Sequence, residues 1–247
     1  MTYQLTVSPD FPPERIASWF VFNTWLQKKL GVNIHLELYN DFESQHQAME
    51  AGKVDIIYVN PYDATNLVRE KGFEAIAAPK GISDEAIIAV STESGINCVE
   101  DLKPGCHIAS TDDKDVHMMC MIMLEPADLT ASNIKLSEHP SYVIVAKQLM
   151  NGTADAGFFY QQSFDKMSKV IKSAIKPIVT SQISVIKHMF LVSPRFAEHH
   201  DAIQQVLLEM HNDEKGKVIV KELGFDSWEE QTQEDTEFMI DLMDTLV

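Results

Sequence analysis

The ten residues Thr111 to Cys120, TDDKDVHMMC, hold the densest chemistry in this sequence. Asp112, Asp113 and Asp115 stand at the spacing of an N-cap and first helical turn, where carboxylates satisfy free backbone N–H groups. The same three could instead line a ligand site, and their types alone do not separate the two roles. His117 and Cys120 lie one helical turn apart, which permits a thiol–imidazole nucleophile. No third group stands by to orient such a pair, so catalysis is not expected. The continuation HMMCMIM offers imidazole, thiol and thioether to a soft ion. Consecutive helical residues point in different directions, however, so most of these must be core, and neither a metal nor a cofactor is expected.

A second constellation suits binding better. The stretch AGKVDIIYVNPYDA, residues 51 to 64, reads as a buried strand ending in a Pro-started helix. It has a partial echo in NGTADAGFFYQQSF, residues 151 to 164, with Gly152 and Asp155 each one hundred residues after Gly52 and Asp55. At the end of the first copy stand Tyr58, Asn60 and Tyr62, and at the end of the second Tyr160 and Gln161. Tyrosine gives an apolar wall with a hydroxyl tip, and the amides give paired donors and acceptors. Such groups suit a small polar organic solute.

The elements that must position these groups alternate between short strands and longer helices. Tyr3 to Val7 reads as a strand, and the helix after it carries Ile16, Trp19, Phe22, Leu26 and Leu30 before stopping at Gly31. Strands follow at residues 34–38, 54–59 and 73–78, with a helix at 42–51 and another opening at Pro61. A second set repeats the rhythm, with strands at 106–109, 134–136 and 154–158 and helices near 115–124 and 141–151. This βαβα order predicts an α/β protein of two lobes, each a mainly parallel sheet flanked by helices. Two apolar stretches, 86–90 and 185–192, read as hinge strands that carry the chain out of lobe one and back. The expected lobes are 1–85 with 190–247, and 91–182, with a helical tail from Pro194. In open α/β sheets, ligands sit beyond the carboxyl ends of the strands, so the two strand ends are expected to face one another across a cleft.

Composition narrows the partners. Twenty Lys and Arg against 37 Asp and Glu give a formal charge of −17. That surface repels phosphate backbones and anionic headgroups, so neither nucleic acid nor a membrane is an expected partner. No run of eighteen apolar residues is present. Three cysteines, Cys98, Cys106 and Cys120, cannot all pair, and no C-x-x-C or H-E-x-x-H spacing marks structural zinc. The first residues, MTYQLTVSPD, show no basic n-region or apolar h-region of an export signal.

The phrases SGINCVEDLKPG (94–105), AGKVDIIYVNPY, MNGTADAGF and LGFDSWEEQTQEDTEFMIDLMDTL resemble the PhnD-like phosphate/phosphite/phosphonate-binding proteins, a branch of the type 2 periplasmic solute-binding proteins. The resemblance runs along nearly the whole chain. It implies two α/β lobes on a two-strand hinge, closing on a small ligand for an ABC importer, without catalysis. Departures from the family pattern cluster at the ligand site. The Ser/Thr-Ser-Gly cradle that opens a helix of lobe two falls by count on Asp115-Val116-His117. Positions usually aromatic-hydroxyl, Tyr and His fall on Phe42, Asp84 and Tyr142, with His139 three residues before the last, and a carboxylate becomes Gln162. With Asp10, from the loop after the first strand, these complete the candidate ligand set. The scaffold is kept while the anion site is dismantled, so a simple phosphonate is not the expected ligand. The resemblance places the protein in the periplasm beside ABC membrane subunits. The absence of an export signal points instead to a cytoplasmic, ligand-sensing regulatory module read by a partner protein.

Overall fold

The computed structural model describes residues 2–245. The chain forms two compact units, one built from residues 2–83 with Lys187–Met243, the other centred on Asp84–Ile186. The first begins with β1 (Thr2–Val7), α1 (Ile16–Leu30), β2 (Asn33–Leu36), α2 (Phe42–Glu50), β3 (Ile56–Val59), α3 (Pro61–Lys71) and β4 (Glu74–Pro79). The second holds β5 (Ala86–Ser91), β6 (His107–Ser110), α4 (Lys114–Met123), β7 (Lys135–Glu138), α5 (Tyr142–Met150), β8 (Ala156–Tyr160), α6 (Gln161–Asp165), α7 (Lys169–Ala174) and β9 (Ile175–Thr180). The chain then completes the first unit with β10 (Met189–Val192), α8 (His200–Leu208), α9 (Glu214–Leu223), β11 (Trp228–Glu230) and α10 (Gln233–Thr245), the last of these belonging to it as far as Met243.

Both sheets are mixed, which corrects the expectation of mainly parallel ones. The first runs β11-β4-β10-β3-β1-β2 and the second β7-β6-β8-β5-β9. Strands joined through a helix pair in parallel, as in β1 with β2 and β3, and β6 with β7 and β8. Strands that enter from the other unit run against their neighbours: β10 against β3 and β4, β5 against β8 and β9. These strands also correct the hinge assignment. β5 lies inside the second sheet, and the chain passes between units before it, at Ser83–Asp84, and before β10, at Ile186–Lys187. The predicted strand at 185–192 shrinks to Met189–Val192, because Ser184 turns to φ 63 and the segment before it is tied to Glu85. Within the expected helical tail, Trp228 inserts into the core at 3% exposure and pairs with Pro79, forming β11 on the free edge of β4.

The first core lies beneath α1, where Trp19, Phe22 and Leu26 meet Phe190, Phe196 and Trp228. Phe22, Phe190 and Phe196 are fully buried, each worth about 1.5–3 kcal/mol over leaving it in water. Gly31 at φ 71 ends α1 with a conformation that side chains resist.

The echo between the two sequence halves has a structural cause. After α2 and after α5 the chain turns through Gly52 and Gly152, at φ 63 and 67. Each turn delivers an aspartate to the strand alongside. Asp55 Oδ2 accepts the Gln4 N–H at 2.7 Å while Asp55 N–H donates to the Gln4 carbonyl at 2.9 Å. Asp155 makes the same exchange with His107, at 2.8 Å in both directions. The repeated aspartates therefore lock a parallel strand pair at its start, while the candidate ligand groups stand at the other end.

Candidate functional site

In the first unit, candidate groups gather at the carboxyl ends of the parallel strands. Asp10 follows β1, Asn60 follows β3, and His188 precedes the antiparallel β10, whose Met189 lies opposite Val59. Tyr58 is half-buried in an aromatic cluster, with its ring 5.1 Å from Trp19, 5.8 Å from Trp228 and stacked on His188 at 5.3 Å. His188 Nε2 lies 3.0 Å from Asp10 Oδ2, with both side chains nearly covered. Asp10 and Tyr58 are thus joined through a histidine that the sequence reading missed. Its signal was the polar pair Lys187-His188 interrupting an otherwise apolar run.

Asn60 is buried, and its side chain is engaged inside the turn. Its Oδ1 accepts the Asp63 N–H at 2.8 Å as the N-cap of α3, and its backbone N–H donates to Ser8 Oγ at 3.1 Å. Asp63, also missed, stands three residues on and meets His46 Nε2 at 2.7 Å. His46 lies one turn after Phe42, their rings 6.1 Å apart. Tyr62 is 46% exposed on the first turn of α3.

In the second unit, two tyrosine–carboxylate pairs stand out. Tyr160 donates its hydroxyl to Asp84 Oδ1 at 2.6 Å, and Tyr142 donates to Asp113 Oδ2 at 2.7 Å. Asp84 and Asp113 are both buried. Gln161 opens α6 and donates its backbone N–H to the Glu85 carbonyl at 2.8 Å. Glu85, a further carboxylate overlooked in the sequence, accepts from the Ser181 hydroxyl and from the N–H groups of Ile183 and Ser184 at 3.2 and 2.8 Å. It ties the segment leaving this unit to the segment that enters it.

The three aspartates ahead of α4 separate by role. Asp112 is exposed. Asp113 is the N-cap, its Oδ1 accepting the Val116 N–H at 3.1 Å. Asp115 is buried in the first turn. A helix N-terminus is a ready anion site only while its N–H groups are free. This one carries its own anion. His117, one turn further on, sits against Phe158, and burial together with nearby Lys114 lowers its pKa below the usual imidazole value, while Glu138 opposes the shift. Cys120 is fully buried and its thiol faces the Ile87 carbonyl at 3.8 Å. Burial pushes that thiol well above its ordinary pKa, so it offers no thiolate for attack or metal binding. His139 stands apart from the two pairs, bonded at 3.0 Å to Ser137 Oγ, which also meets His107 Nε2 at 2.8 Å. His107 Nδ1 in turn bonds the Thr153 carbonyl.

A family model described as the periplasmic substrate-binding protein of phosphonate ABC transporters matches residues 5–236. Among solved structures, PhnD1 from Prochlorococcus marinus, in complex with methylphosphonate, superposes with a TM-score of 0.82 at 13% identity, covering 99% of this chain and 98% of that one. A binding protein component of an ABC phosphonate transporter from Pseudomonas aeruginosa follows at 0.75 and 13%, covering 98% and 87%. The periplasmic aliphatic sulphonate binding protein SsuA from Escherichia coli gives 0.68 and 14%, covering 99% and 87%.

Proposed function

Because the chain belongs to the family of periplasmic substrate-binding proteins of phosphonate ABC transporters, we propose that it closes its two lobes on a small polar solute and delivers it to an ABC importer. The solute in this reading is neutral, zwitterionic or cationic rather than a simple phosphonate. One observation carries that choice: the first turn of α4, where the family's phosphoryl cradle falls by count, is capped by the chain's own Asp113 and holds the buried Asp115. An unpaired anion brought beside these carboxylates loses hydration without gaining a partner. Two point charges 4 Å apart cost about 1 kcal/mol even at the dielectric of water, and more out of it. His117 does not offset them near neutral pH, since its lowered pKa keeps it uncharged.

Closure is supported by the two passages of the chain between units, at Ser83–Asp84 and Ile186–Lys187, because a few connecting residues that absorb backbone changes are a common hinge. The ligand groups in this reading are Tyr58 and Asp10 in the first unit and Asp84, Tyr142 and Tyr160 in the second. Delivery to membrane subunits places the protein in the periplasm. Nothing in the fold or the family favours the alternative of a sensor module.

Isothermal titration with phosphate, methylphosphonate and aminoethylphosphonate, near pH 7.5 and near pH 5.5, tests the ligand class. Methylphosphonate is expected not to bind measurably near pH 7.5, with aminoethylphosphonate the better of the three. Micromolar binding of methylphosphonate would overturn the charge argument. A thermal-shift screen across amines, amino acids and cofactor precursors then finds the solute, since a ligand at a hundred times its Kd adds about 2.7 kcal/mol. Small-angle scattering on the hit should show compaction.

A further inference from the structure

The first unit carries a surface that solute binding leaves unused. A groove of about 770 Å³ runs between α1 and α9, floored by Trp25 and Ile219 and walled by Phe20, Val21 and Val218. Phe20, Val21 and Val218 are 51%, 49% and 57% exposed, and Ile16 extends the face one turn along α1 at 43%. Scattered apolar residues on a surface need no explanation, but four on two adjoining helices form a patch of the kind that marks an interaction site. The sign of its charge is also unlike the rest of the chain. α1, α9 and the α9 cap together hold Lys28, Lys29, Lys215, Lys217 and Lys221 against Asp213, Glu214 and Glu222, whereas the whole chain holds 20 basic residues against 37 acidic.

The complement lies on α10. This helix buries Thr236, Met239, Ile240 and Met243 and leaves Phe238 60% exposed. Glu234 and Asp241 flank Phe238 at helical spacing and Glu237 precedes it, all exposed, with Asp241 also 3.2 Å from Arg69. Residues 233–245 contain five carboxylates and no basic group. We infer that the α10 face of one copy of this chain docks in the α1–α9 groove of a second copy, with Phe238 seated among Phe20, Val21 and Val218 and its flanking carboxylates against Lys28 and Lys215. A helix laying an apolar anchor into a groove is a common recognition mode. Pairing α10 with α10 would set five carboxylates against five, so the symmetric alternative is opposed by charge. The two surfaces differ, so the contact is heterologous and copies add head to tail. Glu214 and Glu222 on the groove's rim work against the attraction, which places the contact in the weak, concentration-dependent class.

Sedimentation velocity on the full chain tests this over about two decades of concentration, up to about 1 mM. The weight-average mass should rise with concentration, and Phe238→Ala and Val218→Glu should each abolish the rise. Both positions are exposed, so an unchanged circular dichroism spectrum and melting temperature certify the fold of each variant. The decisive arm mixes the two variants. Phe238→Ala retains a working groove and Val218→Glu a working α10, so the mixture should regain association that stops at two chains. A wild-type chain that stays monomeric throughout, variants that associate as the wild type does, or a mixture that remains monomeric would each overturn the inference.

Discussion

Asp55 and Asp155 are matching positions of the repeated segment, yet their removal should have very different consequences. Asp55 is 1% exposed, accepts the Gln4 N–H, and holds Arg195 through two further bonds. Asp155 is exposed and accepts only the His107 N–H among the hydrogen bonds described. A hydrogen bond to a charged group contributes about 1.5–3 kcal/mol net. The Arg195 side chain is 47% exposed, so its ion pair adds only about 0.5–1 kcal/mol after solvent screening. Asp55→Ala should therefore cost about 2–4 kcal/mol. Asp155→Ala should cost about 1 kcal/mol or less, because water can replace a carboxylate at an exposed strand start. All three tryptophans, Trp19, Trp25 and Trp228, lie in the first unit. Tryptophan fluorescence during urea unfolding thus reports that unit, and far-ultraviolet circular dichroism reports both. With a urea dependence of about 1–3 kcal/mol per molar, Asp55→Ala should move the fluorescence midpoint down by at least about 0.7 M, whereas Asp155→Ala, which lies in the second unit, should move the circular dichroism transition by at most about half as much. Asp55→Asn, which keeps a neutral acceptor for Gln4 but gives up the charge that holds Arg195, should recover about a third of the loss. A circular dichroism shift as large for Asp155→Ala as for Asp55→Ala, or no recovery in Asp55→Asn, would refute the assignment of the cost to the Gln4 contact.

Gly216→Ala places a methyl in helix α9, where alanine is otherwise favoured, but its Cβ would lie 2.2 Å from the Met210 carbonyl oxygen. A loss of about 1–3 kcal/mol is expected rather than the usual gain, read from the same urea curves. His117 has a lowered pKa in the fold, so the unfolded chain binds more protons between that value and the ordinary one of about 6.5. Stability should therefore rise with pH across that window and level off above it, and His117→Gln should flatten the slope in a series of melts at stepped pH. Asp113→Asn keeps an N-cap side chain on α4 while removing one charge, so stability should change by less than about 1 kcal/mol. Methylphosphonate affinity, followed by thermal shift at high ligand concentration, should improve in this variant.

Much of the scaffold follows from local pattern. Trp19, Phe22 and Leu26 at helical spacing, with Gly31 behind them, specify α1, because one buried face and one left-handed residue are short-range requirements. The same holds for the turns at Gly52 and Gly152 and for Pro61 at the start of α3, each satisfied by a few consecutive residues. The aspartates before α4 were legible as carboxylates at a helix start, but not in their separate roles. What distinguishes Asp113 from Asp112 is the hydroxyl of Tyr142, a partner 29 residues away that no spacing rule supplies. The antiparallel sense of β5 and β10, the capture of Trp228 by the edge of β4, and the union of Asp10 with Tyr58 through His188 also required the tertiary structure. Each joins residues far apart in the chain, and each is decided by which long-range partner gains most from leaving water. A strand's direction in a sheet and a carboxylate's choice of donor are properties of the packed chain, whereas the presence of a strand or a cap is already a property of its neighbours in sequence.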